Sequence, residues 1–377
     1  MVAAVATAKS VATVRSVATA KSVARARSVF RVSVFLACFS ALFLSPGAGL
    51  YASGSSQPSP PAKSGGNQSI AVFVPGVVSG SPIYEMLVAG VKKAAAESPG
   101  VQVAVIEGGF NQAEWETKLT SLAATGTYGL IVSSNPAMPA LCAAVSAKFP
   151  KQHFLLLDGK LEGNPRIYTL RYNQREQAYM AGHIAALVAK SSSAAAKPRL
   201  GLVAGQEYPA MNSIILPGYL EGARAVDPAF QVDFRVVGNW YDAAKGAELA
   251  SAMIRDGAGV VLAIAGGANQ GVLQAADETG AKVVWFDVNG YALRPGVVVG
   301  SSVLWQDRAS YEQVKRYLAG TLPFGSTEIV GVAQGYVDFI EDDPHYLAGV
   351  SGTVRAKQSA LVASLRSGAF RLDEAGR

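Results

Sequence analysis

The chain is poor in the residues that carry covalent and metal chemistry. Of its 377 residues only two are cysteine, Cys38 and Cys142, and only three are histidine. Two cysteines cannot build a zinc site of the Cys-x-x-Cys kind. If a leader holding Cys38 is removed, no internal disulfide can form either. Cys142 reads as a buried structural thiol, sharing the apolar face of a helix with Leu141 and Val145. His153, His183 and His345 come with no Gly-x-Ser-x-Gly elbow, no P-loop lysine motif and no HExxH. That removes the usual grounds for a histidine-based hydrolase, a nucleotide triphosphatase or a zinc protease. Acid is missing altogether from residues 1–52, which hold six bases: Lys9, Arg15, Lys21, Arg25, Arg27 and Arg31. Without them, 27 basic residues face 27 acidic ones. The formal charge of +6 therefore belongs to the leader, and charge gives no support to nucleic-acid binding.

The leader has two parts. Residues 5–28 repeat a six-residue unit (VATAKS, VATVRS, VATAKS, VARARS), for which we have no physical role. Then Arg25, Arg27 and Arg31 precede an apolar run at 32–44, too short to span a bilayer comfortably and of the length of an export signal. Two readings stand side by side. In one, Ser45-Pro46-Gly47 breaks the run and cleavage follows Ala52. In the other, Phe35-Leu36-Ala37-Cys38 resembles a bacterial lipobox, with Cys38 as the lipidated residue. Both export the protein. Residues 53–68 read as a tether or linker.

What the chain has in plenty is hydrophobic and small residues, half of it hydrophobic and 39 glycines. The most informative stretch is 259–290. An apolar, β-branched run at 259–265 has the composition of a strand buried on both faces. Gly266-Gly267 breaks it, Asn269 can cap the following helix, and Gly280 stops that helix. A second strand then ends on Asp287. Residues 128–159 repeat this scheme and end on Asp158. The match extends upstream: strand starts near 69, 101, 128 and 152 recur near 199, 230, 259 and 282, at offsets of 130, 129, 131 and 130 residues. The chain reads as one four-βα layout used twice, an α/β protein of two lobes, each a parallel sheet flanked by helices. A strand at 166–171 should cross into the second lobe, a strand at 297–304 should cross back, and 328–339 reads as a strand pair or hairpin. The expected division is 69–172 with 301–323 for lobe 1, and 173–300 with 324–377 for lobe 2. Two lobes on a multi-strand hinge describe a binding protein that closes on its ligand.

Open α/β sheets bind ligands at the carboxyl ends of their strands, so the candidate contacts lie there. They are Ser81 and Tyr84 after the first strand, Ser134 and Asn135 after the third, Trp240 and Asp242, Gly266 and Gly267, Asp287, and Trp305. Trp240 and Trp305 follow strands directly and could stack a flat ligand. Trp285, within a strand, reads as core, and Trp115 as core or rim. Gly266 and Gly267 offer bare backbone N–H groups. Asp287 is read as accepting ligand hydroxyls, and Asp158 as a turn cap. The same glycines with Asp287 were weighed as a dinucleotide turn, but they do not form GxGxxG, and the unit is third in its lobe.

An ordered set of short motifs then becomes visible. It runs Gly90-Val91-Lys92-Lys93-Ala94; Phe149-Pro150 leading to Asp158; Glu176-Gln177-Ala178-Tyr179-Met180-Ala181-Gly182 with Ala185-Ala186; Asp242 with Lys245-Gly246 and Leu249-Ala250; Gly266-Gly267 with Gly271-Val272; Asp287; and Ser302-Val303. Over roughly 69–339 the chain resembles the basic membrane lipoprotein family of ABC-transporter substrate-binding proteins, which includes bacterial purine-nucleoside receptors. The resemblance implies a type I periplasmic-binding fold and a nucleoside held between aromatic rings, with an aspartate near the ribose; Asp287 matches that aspartate. Two departures matter. The family's first loop carries an Asp and a Phe-Asn pair, absent from 77–84 here. A lysine common after the Ser302-like serine appears as Trp305.

The expectation is an exported solute-binding component of an ABC importer, not an enzyme, with no cofactor and no metal. Its partners would be a nucleoside-like small molecule, an ABC permease, and the membrane if Cys38 carries lipid. An extracytoplasmic sensor of the same fold is the alternative, and a dinucleotide-binding enzyme a lesser one.

Overall fold

The computed structural model describes residues 69–192 and 198–374. The basic repeat, the export signal with Cys38, and the linker at 53–68 lie outside the described residues.

The chain opens with β1 (Ile70–Val74), α1 (Pro82–Ala96), β2 (Val103–Glu107), α2 (Trp115–Ala124), β3 (Leu130–Ser134), α3 (Met138–Lys148), β4 (His153–Leu157) and β5 (Ile167–Tyr172). It then repeats the pattern with α4 (Gln174–Ser192), β6 (Arg199–Ala204), α5 (Leu216–Val226), β7 (Gln231–Val236), α6 (Ala243–Arg255), β8 (Val260–Ile264), α7 (Asn269–Thr279), β9 (Lys282–Asp287) and β10 (Val298–Leu304). The rest is α8 (Gln306–Leu318), β11 (Thr327–Val330), β12 (Val337–Phe339), α9 (Pro344–Gly349) and α10 (Gly352–Arg366). Eight expected strand starts fall within two residues of those observed.

The strands form two six-stranded sheets, ordered β11-β5-β4-β3-β1-β2 and β12-β10-β9-β8-β6-β7. Exchanging β1–β5 for β6–β10, and β11 for β12, converts one order into the other. Every pairing is parallel except β10 with β12. The reason is visible in β1. All five of its side chains are buried, and alternate residues enter different cores. Ile70, Val72 and Val74 pack with Leu87 and Val91 of α1, while Ala71 and Phe73 pack with Trp115, Leu119 and Met138 of α2 and α3. Each such aliphatic or aromatic side chain contributes about 1.5–3 kcal/mol on burial. Cys142 is fully buried in the second of these cores, and burial pushes its thiol above the usual range. Trp285 and Trp115 are both core, 6% and 3% exposed.

The pairing moves two expected boundaries. Residues 301–304 were assigned to lobe 1, but β10 pairs with β9 along its length and stays in the second sheet. Residues 327–330 were assigned to lobe 2, but β11 adds to β5 in the first sheet. The expected hairpin at 328–339 is therefore no hairpin. β11 and β12 belong to different sheets, and the link between them is a third crossing, beside those from β5 to α4 and from β10 to α8.

Lobe 2 is held by a close helix crossing. A Cβ on Gly182 of α4 would lie 1.9 Å from the Tyr219 carbonyl oxygen, and one on Gly222 of α5 would lie 2.0 Å from that of Tyr179. Backbone meets backbone there, so neither position has room for a methyl group. Gly182→Ala should lower the unfolding free energy by about 3 kcal/mol. Gly259→Ala, where the added methyl meets nothing within 4 Å, should change it by less than about 0.5 kcal/mol. Urea unfolding of the two variants checks this; equal costs would contradict the packing argument.

Candidate ligand-binding cleft

Both sheets end in an aspartate with left-handed backbone. Asp158, one residue past β4, has φ 57°, and Asp287, the last residue of β9, has φ 73°; they are the only non-glycine residues with positive φ among the described residues. The two are equivalent in the repeated layout. Aspartate tolerates this conformation better than most side chains, yet it still carries strain.

Their electrostatics follow from their surroundings. Burial raises both carboxyls. Asp158 goes to about 8, the charge of Asp287 adding to the effect. Asp287 goes only to about 6, because Gln177 Nε2 donates to its Oδ1 at 3.1 Å. At neutral pH the proton therefore sits on Asp158, which no donor among the described residues reaches. Gln177, on α4, is fully buried. Its amide nitrogen also donates to the Ser302 carbonyl at 3.2 Å, while its Oε1 and the Ser302 hydroxyl have no partner. Tyr172 and Tyr208 border the pair: burial first, then the charges of Asp158 and Asp287, raises both phenols well above their usual range. The result is a floor with an ionised carboxylate, a protonated carboxyl, and the unpartnered Gln177 Oε1 and Ser302 hydroxyl, able to exchange hydrogen bonds with a small polar molecule.

Of the residues expected from sequence, Tyr84 and Asn135 lie near Asp158, and Trp240 packs near Tyr208 with ring centroids 6.2 Å apart. Tyr84 OH donates to the Pro75 carbonyl at 3.2 Å and receives Asn135 Nδ2 at 3.5 Å. Burial pushes its phenol up to about 12, with Asp158 adding to the rise. Tyr84, Asn135 and Asp158 thus share one neighbourhood. Trp240 is partly exposed and packs on Gly205, where a Cβ would be 2.4 Å from the indole. Its Nε1 donates to Gln206 Oε1 at 3.1 Å.

Others serve the frame. Ser134 is buried and donates to Gln306 Oε1 at 3.0 Å. Asp242 caps α6, accepting from Lys245 N–H at 2.9 Å. Gly267 N–H, expected to be bare, donates to the Trp240 carbonyl at 2.8 Å. Gly266 has φ 59° and a Cβ there would meet the same oxygen at 2.8 Å, so this turn requires glycine. Ser81 stands before α1 without a capping side-chain bond. Trp305 precedes α8 and lines a hollow with residues 338–342 of the β12 region and Arg366 of α10, which includes neither aspartate nor Trp240. The first loop, lacking an aspartate, is held by two glutamates: Val78 N–H donates to Glu107 Oε1 at 2.7 Å, and Gly80 N–H to Glu85 Oε1 at 3.0 Å.

The reading of Asp158 as a turn cap is corrected: its side chain caps nothing and lies within range of Asp287's charge. Sequence reasoning also missed Gln177, Tyr208 and Gln206 as neighbours of the site. The equivalence of Asp158 with Asp287 in the repeat was the signal for Asp158.

A family model described as ABC transporter substrate-binding protein PnrA-like matches residues 67–368. The "ABC transporter nucleoside-binding protein BmpA" of Lactococcus lactis subsp. cremoris is 28% identical over 149 residues, 40% of this chain and 40% of that protein. "Basic membrane protein D" of Borreliella burgdorferi is 29% identical over 171 residues, 45% of this chain and 48% of that protein. The chain thus spans less than half the length of these curated relatives. Among solved structures, an ABC transporter solute-binding protein from Aeropyrum pernix K1 superposes with TM-score 0.70 at 21% identity, covering 81% of this chain and 93% of that one. A solute-binding protein from Conexibacter woesei gives 0.57 at 20% identity, covering 82% and 99%. These likenesses concern the fold.

The two raised carboxyls yield a pH prediction. Each binds its proton more tightly in the folded than in the unfolded chain, where the value is near 3.8. The stability this contributes is complete below 3.8 and is lost as pH rises through about 6 and about 8. Asp158→Asn, which suits the left-handed backbone and cannot ionise, should melt like wild type near pH 4 and above it by a growing margin up to pH 9. Thermal melts across that range check this; parallel curves would contradict it.

Proposed function

The chain belongs to the Bmp family of PnrA-like ABC-transporter substrate-binding proteins, and we propose that it is the exported solute-binding component of an ABC importer, holding a nucleoside-like ligand between its lobes. The observation that carries this is the pair of strand-end aspartates, Asp158 and Asp287, with Gln177 bonded to the second. Sugar hydroxyls are the donors such acceptors suit, and the partly exposed indole of Trp240 supplies a face for a ring. The nucleoside-binding relative from Lactococcus supports the same ligand class. We read the protein as a binder rather than an enzyme, with an ABC permease as its partner. Export rests on the basic n-region and apolar run of the leader. Among the described residues no helix is long and apolar enough to cross a membrane.

The departures from the family pattern shape the prediction. Trp305 replaces the lysine and lines a hollow with the β12 region, and we read it as outside this site. Calorimetric titration with inosine as probe should separate three variants. Asp287→Asn keeps shape but loses charge, and should weaken binding by about 1.5–3 kcal/mol, a loss of about tenfold or more. Trp240→Leu should weaken inosine more than ribose. Trp305→Leu should leave both within about twofold. If Asp287→Asn binds as wild type while melting normally, the ribose assignment is wrong.

A further inference from the structure

One acceptor atom in the molecule is shared by both lobes. Gln206 Oε1, in the loop after β6, accepts from Trp240 Nε1 of its own lobe at 3.1 Å and from Gln112 Nε2 of the opposite lobe at 3.3 Å. Gln112 lies in the segment between β2 and α2, and this segment makes a second contact across the mouth. The ring of Phe110 lies 5.9 Å from that of Tyr241, the residue after Trp240. Both rings are more than half exposed, 57% and 62%, although a large apolar side chain gains nothing from water. Their tilted contact with each other, at 52° between ring planes, gives them a partner. Gly205, immediately before Gln206, leaves room for the indole to lie against the backbone.

We propose that Gln206 is a positioning residue that couples lobe closure to the orientation of Trp240, with Gln112 as the cross-lobe arm and Phe110–Tyr241 as the outer clasp. This rests on the reading of Trp240 as the ring-stacking side chain, and goes beyond it by naming what holds the ring. When the lobes part, Gln112 and Phe110 leave together, and Gln206 keeps only its bond to the indole. When they close, the second donor fixes the amide and through it the indole. The increment favours the closed state whatever occupies the cleft, so it acts mainly on release. Gln206 uses a single oxygen in both bonds, so a carboxylate of the same length should replace it.

The test uses the exported protein with inosine and ribose as probes, measured by stopped-flow binding. Gln206→Leu should speed inosine release about tenfold or more, with association within about twofold, and should narrow the preference for inosine over ribose. Gln206→Glu should restore release to within about threefold of wild type. Gln112→Leu should speed release about fivefold, and adding it to Gln206→Leu should change nothing further. If the Leu and Glu variants behave alike, or if the two losses simply add, the proposal is overturned. If inosine does not bind wild type, the nucleoside reading fails instead, and small-angle scattering of the ligand-free proteins decides the clasp. A larger radius of gyration in both Leu variants than in wild type supports it, and identical radii overturn it.

Discussion

Two carboxyl groups buried at equivalent strand ends are the feature on which the rest of the structure depends. Parallel strands buried on both faces all end on the same side of their sheet, and this chain builds that arrangement twice. One central strand of each sheet, β4 and β9, leads into an aspartate in left-handed backbone. Burial holds a proton on Asp158 at neutral pH, the charge of Asp287 adding to the effect, while the bond from Gln177 keeps Asp287 lower. A molecule that brings hydroxyl or N–H donors to the ionised Asp287 would offset the cost of that burial.

The frame around the pair is arranged to keep it in register. Gln177 reaches from α4, at the first crossing between lobes, to Asp287 and to the backbone of β10. Tyr172, the last residue of β5, bonds to Gln306, which also receives Ser134 and donates to the Ile83 carbonyl. The crossings are thus tied to the strand ends by buried side-chain amides. Buried polar groups cost free energy when left unpaired, and among those unpaired in the described residues Gln177 Oε1 and Ser302 Oγ lie beside Asp287.

Most of the architecture was legible in the sequence because its signals are strong. Runs such as Ile70–Val74 and Val260–Ile264 are short, β-branched and bounded by glycine or turn residues, and they have no other stable use than a doubly covered strand. The final crossings were harder. β11 and β12 are four and three residues long with mixed polarity, so nothing local distinguishes a hairpin from two strands in separate sheets. In the site, residue type showed which groups could act but not how each is used. Ser134 and Asp242 have the chemistry of ligand contacts, but a glutamine 172 positions away and a backbone amide three away claim them. Asp158, an aspartate at a strand end, reads as a turn cap from sequence; its φ and the reach of Asp287's charge exist only in three dimensions. Trp305 follows its strand as Trp240 does, yet its backbone N–H donates to the Tyr336 carbonyl and its side chain lines a hollow with the β12 region.

The most direct test is to identify what the protein carries. Native mass spectrometry of wild type and Asp287→Asn, purified identically and without added ligand, followed by denaturing release, reads the occupant itself. The account predicts a single non-covalent species on wild type, a ring joined to a sugar with free hydroxyls, strongly depleted on the variant. A retained molecule with neither ring nor sugar hydroxyls, or one held equally by both proteins, would contradict it.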